Sequence, residues 1–367
     1  MSDTPVRIGF VSADHLHFPG LLHQAIAAPN IEVVGMVIDD AEHRAFIAGR
    51  FPDVHVFDTP DALYDTAHPE AIITNRNNRD ALHDVEEAAR RGVHVMKEKP
   101  MAASLAIAEA MQSACARGGV RLMINWPTNW SRAFHHAHMI AASGRIGKVW
   151  QVHVRNGHQG PPADFAKNDP VGRIGWEWLM DRDRNGGGAA IDFCSYGAVI
   201  SRWFMGQPSR VTGVGGRYVR THMTVEDNAV MILQYAHGHS IAEGTWSQPA
   251  TPSPAPITIY GSEGTIAIPP GQDTEVAVAI GNGPWRQTVE TVTAPELPAH
   301  YASGPAYFAH CLRHNLPFEG IVDAAIARDA QEILQAGMQS MATGAAVSLP
   351  LPVHLAGRRR DHHRHRA

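Results

Sequence analysis

Over its first third the chain alternates short, β-branched apolar runs with helix-periodic segments, and this alternation restricts the fold more than any other feature. Residues 6–11, 31–38, 71–74, 93–96 and 120–124 read as strands. Between them, 21–28, 41–51, 81–91 and 105–117 place apolar residues at helical spacing, and Gly118-Gly119 stops the last of these. Strands separated by helices form βαβ units and hence a parallel sheet covered on both faces. Right-handed crossovers then predict a doubly wound, Rossmann-type α/β domain over residues 1–124.

The texture changes after that point. "VWQVHVRNG" and "AVMILQYAHGHSIAEGTWSQ" are long alternating strands, and "ITIYGSEGTIAI" reads as a hairpin turning at Gly261 to Gly264. They predict an α+β domain over 125–350 with a large open, mostly antiparallel sheet, closed by a helix near 323–342. Such a sheet leaves one apolar face to cover, which predicts a homo-oligomer, a dimer or tetramer, through that face. Residues 351–367 read as a C-terminal tail, with the basic, His-rich "GRRRDHHRHRA" as its frayed end.

Composition narrows the function classes. With 44% hydrophobic and 18% charged residues, the 367-residue chain is core-forming, and its net charge of −5 argues against a nucleic-acid surface. Cys115, Cys194 and Cys311 are too few and too scattered for a disulfide framework or a zinc knuckle. The absence of a signal pattern and of an 18-residue apolar run leads us to expect a soluble, cytoplasmic protein with no membrane partner. His15 and His17, and His135, His136 and His138, lack an adjoining carboxylate or cysteine set, so no metal is expected.

In a doubly wound sheet, ligands bind beyond the carboxyl ends of the strands. The first strand ends in "GFVSADHLHFPG", where Ser12, Asp14 and His17 stand at the places of the glycines of a dinucleotide fingerprint. The small Ser12-Ala13 pair still lets backbone approach a diphosphate at a helix N-terminus, whereas Asp14, beside His15, brings a carboxylate toward it. Asp39 lies 22 residues beyond His17, at the end of the second strand. A carboxylate there binds ribose hydroxyls and repels a 2′-phosphate, favouring NAD over NADP, although Asp39 or Asp40 serves equally well as the next helix's cap. "TNRNNRD" follows the next strand; Asn75, Arg76 and Asn78 line a nicotinamide ribose or simply solvate a helix entry. "KEKP" then puts Glu98 and Lys99 at a central strand's end, where a partly desolvated lysine can hold a substrate hydroxyl or move its proton, with Glu98 to orient or balance it and Pro100 fixing the turn. Finally, "GGGAAIDFCSYGAVI" leads from Gly186 to Gly188 into a helical pattern in which Asp192 and Tyr196, four apart, share a face. Taken alone, they are an acid/base pair or a helix-start carboxylate and a core tyrosine.

The order "EKP" after a βαβ pattern, then "GGG…D…Y", resembles the glucose–fructose oxidoreductase/inositol dehydrogenase/rhizopine catabolism (Gfo/Idh/MocA) family, and the resemblance covers nearly the whole chain. "SGRIGKVWQV", "TVEDNAVMILQYAHG", "YGSEGTIAI" and "DAAIARDAQEILQAGMQSMATGAAVSL" are similar to its later segments. The resemblance implies an NAD(H)-dependent oxidoreductase acting on a sugar, cyclitol or related polyol by hydride transfer. Lys99, Asp192 and Tyr196 are then the catalytic residues. Ser12, Ala13, Asp14, His15, Asp39, Asn75, Arg76, Asn78, Glu98 and Lys99 face the cofactor. Trp126, Arg155 and Trp176 join Lys99, Asp192 and Tyr196 around the substrate. Many members carry Gly and His where Cys194 and Tyr196 stand here; the tyrosine is similar to the glucose–fructose oxidoreductase branch. Two further readings remain open: NAD-dependent glycoside cleavage through transient oxidation, and a non-catalytic dinucleotide-sensing scaffold.

Overall fold

The computed structural model describes residues 4–249, 256–271, 273–281, 283 and 286–352. The "GRRRDHHRHRA" tail lies outside them.

The first sheet contains β1 (Val6–Val11), β2 (Ile31–Val37), β3 (Val56–Phe57), β4 (Ala71–Thr74), β5 (His94–Glu98) and β6 (Leu122–Asn125). Its order is β3-β2-β1-β4-β5-β6, and every pairing is parallel. Helices α1 (Phe18–Ala27), α2 (Ala41–Arg50), α3 (Ala81–Arg90) and α4 (Leu105–Gly118) connect the strands. The strand order reverses between β1 and β4, so the ligand crevice of a doubly wound sheet opens there. The start and stop of α4 are written locally: Ser104 accepts from the Ile107 amide, and Gly119, at φ 64°, ends the helix. Two boundaries differ from the sequence reading. Helix α1 starts earlier, at Phe18, with Pro19 in its first turn. Strand β5 runs on through Lys97 and Glu98, so the charged residues belong to the buried strand itself.

After α5 (Arg132–Ala142) the second sheet begins with β7 (Val149–Gly157). Helices α6 (Pro170–Leu179), α7 (Ala189–Asp192) and α8 (Cys194–Met205) follow, with a single helical turn over Arg182–Asn185 between the first two. The remaining strands are β8 (Arg210–Gly216), β9 (Asn228–Tyr235), β10 (Gly238–Thr245), β11 (Ile257–Gly261), β12 (Gly264–Ile268), β13 (Glu275–Gly281), β14 (Gln287–Thr293) and, past α9 (Gly304–Arg313) and α10 (Ala324–Thr343), β15 (Val347–Ser348). The order is β14-β13-β12-β11-β7-β10-β9-β8-β15, antiparallel except where β7 meets β10. Helix α8 packs under this sheet with Gly197 against Ala242, too close for any Cβ at 197. Helix α9 returns to the first domain, where the Asn30 side chain donates to the Ala306 carbonyl at 2.9 Å.

The sheet's inner face buries Val152, Val154, Ala242, Ile257 and Ile259, each valine or isoleucine contributing about 1.5–3 kcal/mol over exposure. The outer face is not the continuous apolar patch the strand pattern predicts. Val214 (65% exposed) and Ile232 (45%) share it with His153, Arg155 and Glu243. Among the described residues, no helix is long and apolar enough to cross a membrane.

Candidate active site

Lys97, Glu98 and Lys99 close β5, and all three are buried. Their side chains part company. Lys97 donates to Asn78 Oδ1 and to the carbonyls of Glu98 and Pro100, at 2.9, 2.7 and 2.6 Å. It thus clamps the turn that presents Lys99. Burial pulls its pKa down to about 7, against the pull of Glu98. Asn78 in turn donates to Asn185 Oδ1 at 2.8 Å, tying this turn to the segment before Gly186.

Lys99 Nζ reaches across the crevice to Asp192 Oδ1 at 2.6 Å. Trp246, at the end of β10, donates its indole N–H to Asp192 Oδ2 at 3.0 Å. Asp192 and Tyr196 do not share one helix as their spacing suggests: the chain breaks at Phe193 between α7 and α8. The break still delivers both residues to the lysine, whose ammonium lies 5.1 Å from the Tyr196 ring centroid and 5.8 Å from that of Phe193. The preceding glycines are needed for close approach, since a Cβ on Gly188 would run into the Glu226 carbonyl. Trp126 stands edge-on to Tyr196, with ring centroids 5.3 Å apart.

Burial opposes charge on Lys99, but Asp192, Tyr196 and Glu98 together outweigh it and the lysine pKa rises. Burial likewise raises Asp192, and Lys99 reverses this to a net lowering. Tyr196 goes the other way: burial pushes its phenol up to about 12 and Lys99 only moderates the rise. Near neutral pH the cluster is therefore an ammonium–carboxylate pair beside a protonated phenol. Lys99 pulls the tyrosine pKa down, but desolvation is the larger effect. A cavity of about 420 Å³ opens beside Tyr196, with Thr128, Ser131, Phe134 and Ile200 in its wall.

At the switch point, Ser12 adopts a left-handed backbone, φ 62°, at the fingerprint's first position. Its hydroxyl, both amide atoms of Asn75 and His15 Nε2 are buried without hydrogen-bond partners among the described residues. Such groups are ordinarily satisfied, so this concentration at the ends of β1 and β4 fits a polar, many-oxygened ligand such as a dinucleotide. Asp14 is less of an obstacle than its place in the loop implies. Its carboxylate accepts from the Asn77 amide and side chain, both at 3.1 Å. Asp40 caps α2 by accepting from the His43 amide. That leaves Asp39 to pair with Arg76, 2.7 Å away, while Asp84 holds the same guanidinium at 2.9 Å.

Arg155 of β7 pairs with Glu243 from β10 on the outer face of the second sheet, and it also lines the cavity beside Tyr196, together with its inner-face neighbour Val154. Trp176 meets the site only through His158, which packs edge-on against both Trp176 and Phe193. Sequence reasoning missed His158 and Trp246. Helix α6 lies on the β1–α1 loop: Gly175 abuts Leu16, and Trp178 donates to the Asp14 carbonyl at 2.8 Å.

A doubly wound domain with an orphaned polar crevice, joined to an open sheet through a lysine–aspartate–tyrosine cluster, defines the class of two-domain pyridine-nucleotide oxidoreductases. Residues 8–126 match the "Oxidoreductase family, NAD-binding Rossmann fold", and residues 134–267 match the "GFO/IDH/MocA C-terminal domain". The chain belongs to the Gfo/Idh/MocA family of oxidoreductases. It is 25% identical to a D-xylose 1-dehydrogenase [NADP(+)] of Haloarcula marismortui over 321 residues, 85% of this chain and 84% of the relative. It is 26% identical to a D-apiose dehydrogenase of Paraburkholderia graminis over 308 residues, covering 82% and 74%. The fold is similar to that of aldose-aldose oxidoreductase from Caulobacter crescentus, solved with glycerol: the TM-score is 0.78 at 20% identity over 94% of this chain and all of that one.

Proposed function

We propose that the protein oxidises or reduces a sugar, cyclitol or related polyol with NAD(H), and that Lys99, Asp192 and Tyr196 handle the hydroxyl proton. The observation that carries this reading is the buried 2.6 Å ion pair between Lys99 and Asp192 beside Tyr196 and its cavity. A monosaccharide suits a pocket of that size. The cofactor, when bound, exchanges hydride with the substrate carbinol carbon; this chain's residues supply alignment and charge. Ser12 and Asn75 would hold it through their buried polar atoms, and Asp39 would accept from the ribose hydroxyls. That last contact favours NAD, although the Haloarcula relative is named for NADP.

Lys99 holds the substrate oxygen, and Asp192, itself held by Trp246, keeps the lysine charged and in place. Tyr196 is protonated near neutral pH and so donates to a carbonyl oxygen in the reducing direction, its emerging phenolate facing the ammonium. The oxidising direction needs that phenol deprotonated first. The test is a panel of aldoses, cyclitols and polyols with NAD(H) and NADP(H), followed by nicotinamide absorbance. The reading predicts turnover with a member of that panel, faster with NAD(H). No turnover across the panel, with dinucleotide bound, would remove the substrate class.

A further inference from the structure

Two imidazoles on the β1–α1 loop meet a carboxylate from β5. One ring nitrogen of His15, one of His17 and a Glu98 carboxylate oxygen all lie within 4.8 Å of one another. His17 Nδ1 is already 2.9 Å from Glu98 Oε1. The other Glu98 oxygen accepts from Asn125 Nδ2 at 2.6 Å, the kind of outer contact that orients a ligating carboxylate. Glu98 and His15 are buried, while the His17 side chain is 42% exposed and provides an entry side. His15 Nε2 is buried and unpartnered.

The lysines that flank Glu98 do not take up its carboxylate by hydrogen bonding. Lys97 spends its hydrogens on two carbonyls and Asn78, and Lys99 donates to Asp192. A buried carboxylate is therefore left facing two imidazoles. Two histidines and one carboxylate, with further positions open, are a donor set for divalent first-row transition ions. One of the three ligands, His17, sits at the third position of the dinucleotide fingerprint, with His15 two residues before it. We infer that His15, His17 and Glu98 bind a divalent transition-metal cation in the crevice, next to Lys99. His15 Nδ1 accepts the His17 amide at 3.1 Å. That contact keeps the ring proton on Nε2, so ligation by either ring nitrogen requires the His17 amide to give up its contact with Nδ1. The site's open positions then face the crevice and are free for water or an oxygen ligand.

This inference stands apart from the proposed reaction, because metal binding is read on the resting protein. The probe is Co²⁺, followed by visible absorption and equilibrium dialysis on full-length wild type, His17→Gln and Glu98→Gln. The His-rich C-terminal stretch is present in all three chains, so its background cancels. Expected is a visible cobalt band in wild type and one more ion held per chain than in either variant, with affinity at this site reduced at least tenfold. His17→Gln alters a part-exposed side chain and keeps the fold, which circular dichroism verifies, so it decides the matter even if Glu98→Gln unfolds. The same stoichiometry and spectrum in wild type and His17→Gln, or no cobalt band in wild type, would overturn the inference.

Discussion

Asp192→Asn removes the charge that keeps Lys99 an ammonium while preserving side-chain size. The pair lies at 2.6 Å with its side chains only 4% and 7% exposed. Stripping one partner from a buried pair costs about 3–5 kcal/mol, because the remaining charge is left desolvated and alone. The pH dependence gives the argument its sign. In wild type the folded Lys99 pKa lies above its ordinary value of 10.5. Folded and unfolded chains then carry this proton equally through neutral pH, and the lysine's stabilising contribution is lost only as pH rises through the folded pKa. In the variant burial acts without Asp192, so the folded pKa falls below 10.5 and the unfolded chain binds more protons between the two values. Stability of the variant must then rise with pH in that window, by up to about 1.4 kcal/mol per pH unit. The Asp192 pKa itself is lowered below 3.8, so its own linkage appears only in acid and does not interfere. Urea unfolding followed by tryptophan fluorescence at pH 7 and pH 9.5 checks this. We expect a penalty of about 3–5 kcal/mol at pH 7, a smaller one at pH 9.5, and substantial recovery in the Lys99→Met/Asp192→Asn double variant. A penalty under about 1 kcal/mol at pH 7, or one of equal size at both pH values, would refute the reasoning.

Three other outcomes are expected. Tyr196→Phe lowers turnover by about 10²–10⁴-fold with dinucleotide affinity unchanged; and since burial lifts the phenol to about 12, wild-type oxidation climbs with pH past 9, where a plateau near pH 7 would contradict the assignment. Asp39→Ala frees Arg76 to meet a 2′-phosphate, so the NADH over NADPH preference, read by tryptophan quenching, falls about tenfold or more; an unchanged ratio would clear Asp39 of any role. The outer face of the second sheet, with Val214 and Ile232 exposed among charged pairs, is proposed to join copies of the chain, and sedimentation equilibrium showing a concentration-independent monomer would exclude this.

The Rossmann half was legible because each βαβ unit is encoded locally: period-2 and period-3.6 patterns, Ser104 and Asp40 at helix starts, Gly119 at a helix end. Lys99, Asp192 and Tyr196 were legible as types in place, since a lysine at a central strand's carboxyl end has few other uses. What sequence could not show depends on long-range pairing. Trp246 reaches Asp192 only because β10 lies parallel to β7, and nothing near residue 246 signals that. The clamp made by Lys97 was not legible because its three acceptors, two of them carbonyls, come together only once the turn is folded. His15 and His17 seemed to lack a carboxylate because Glu98 is 81 residues from His17 in the chain, though its side chain is 2.9 Å away in the fold.

Single-turnover hydride transfer in Lys99→Met, with dinucleotide affinity measured on the same samples, addresses the central claim most directly. A positioned charged donor of this kind stabilises the transition state by about 3 kcal/mol or more, which corresponds to over a hundredfold in rate. The account predicts a loss of at least that size, on whichever polyol or aldose the wild type converts, with NADH binding nearly unchanged. Near-wild-type hydride transfer in Lys99→Met would contradict it and reduce the buried Lys99–Asp192 pair to a structural tie between the two domains.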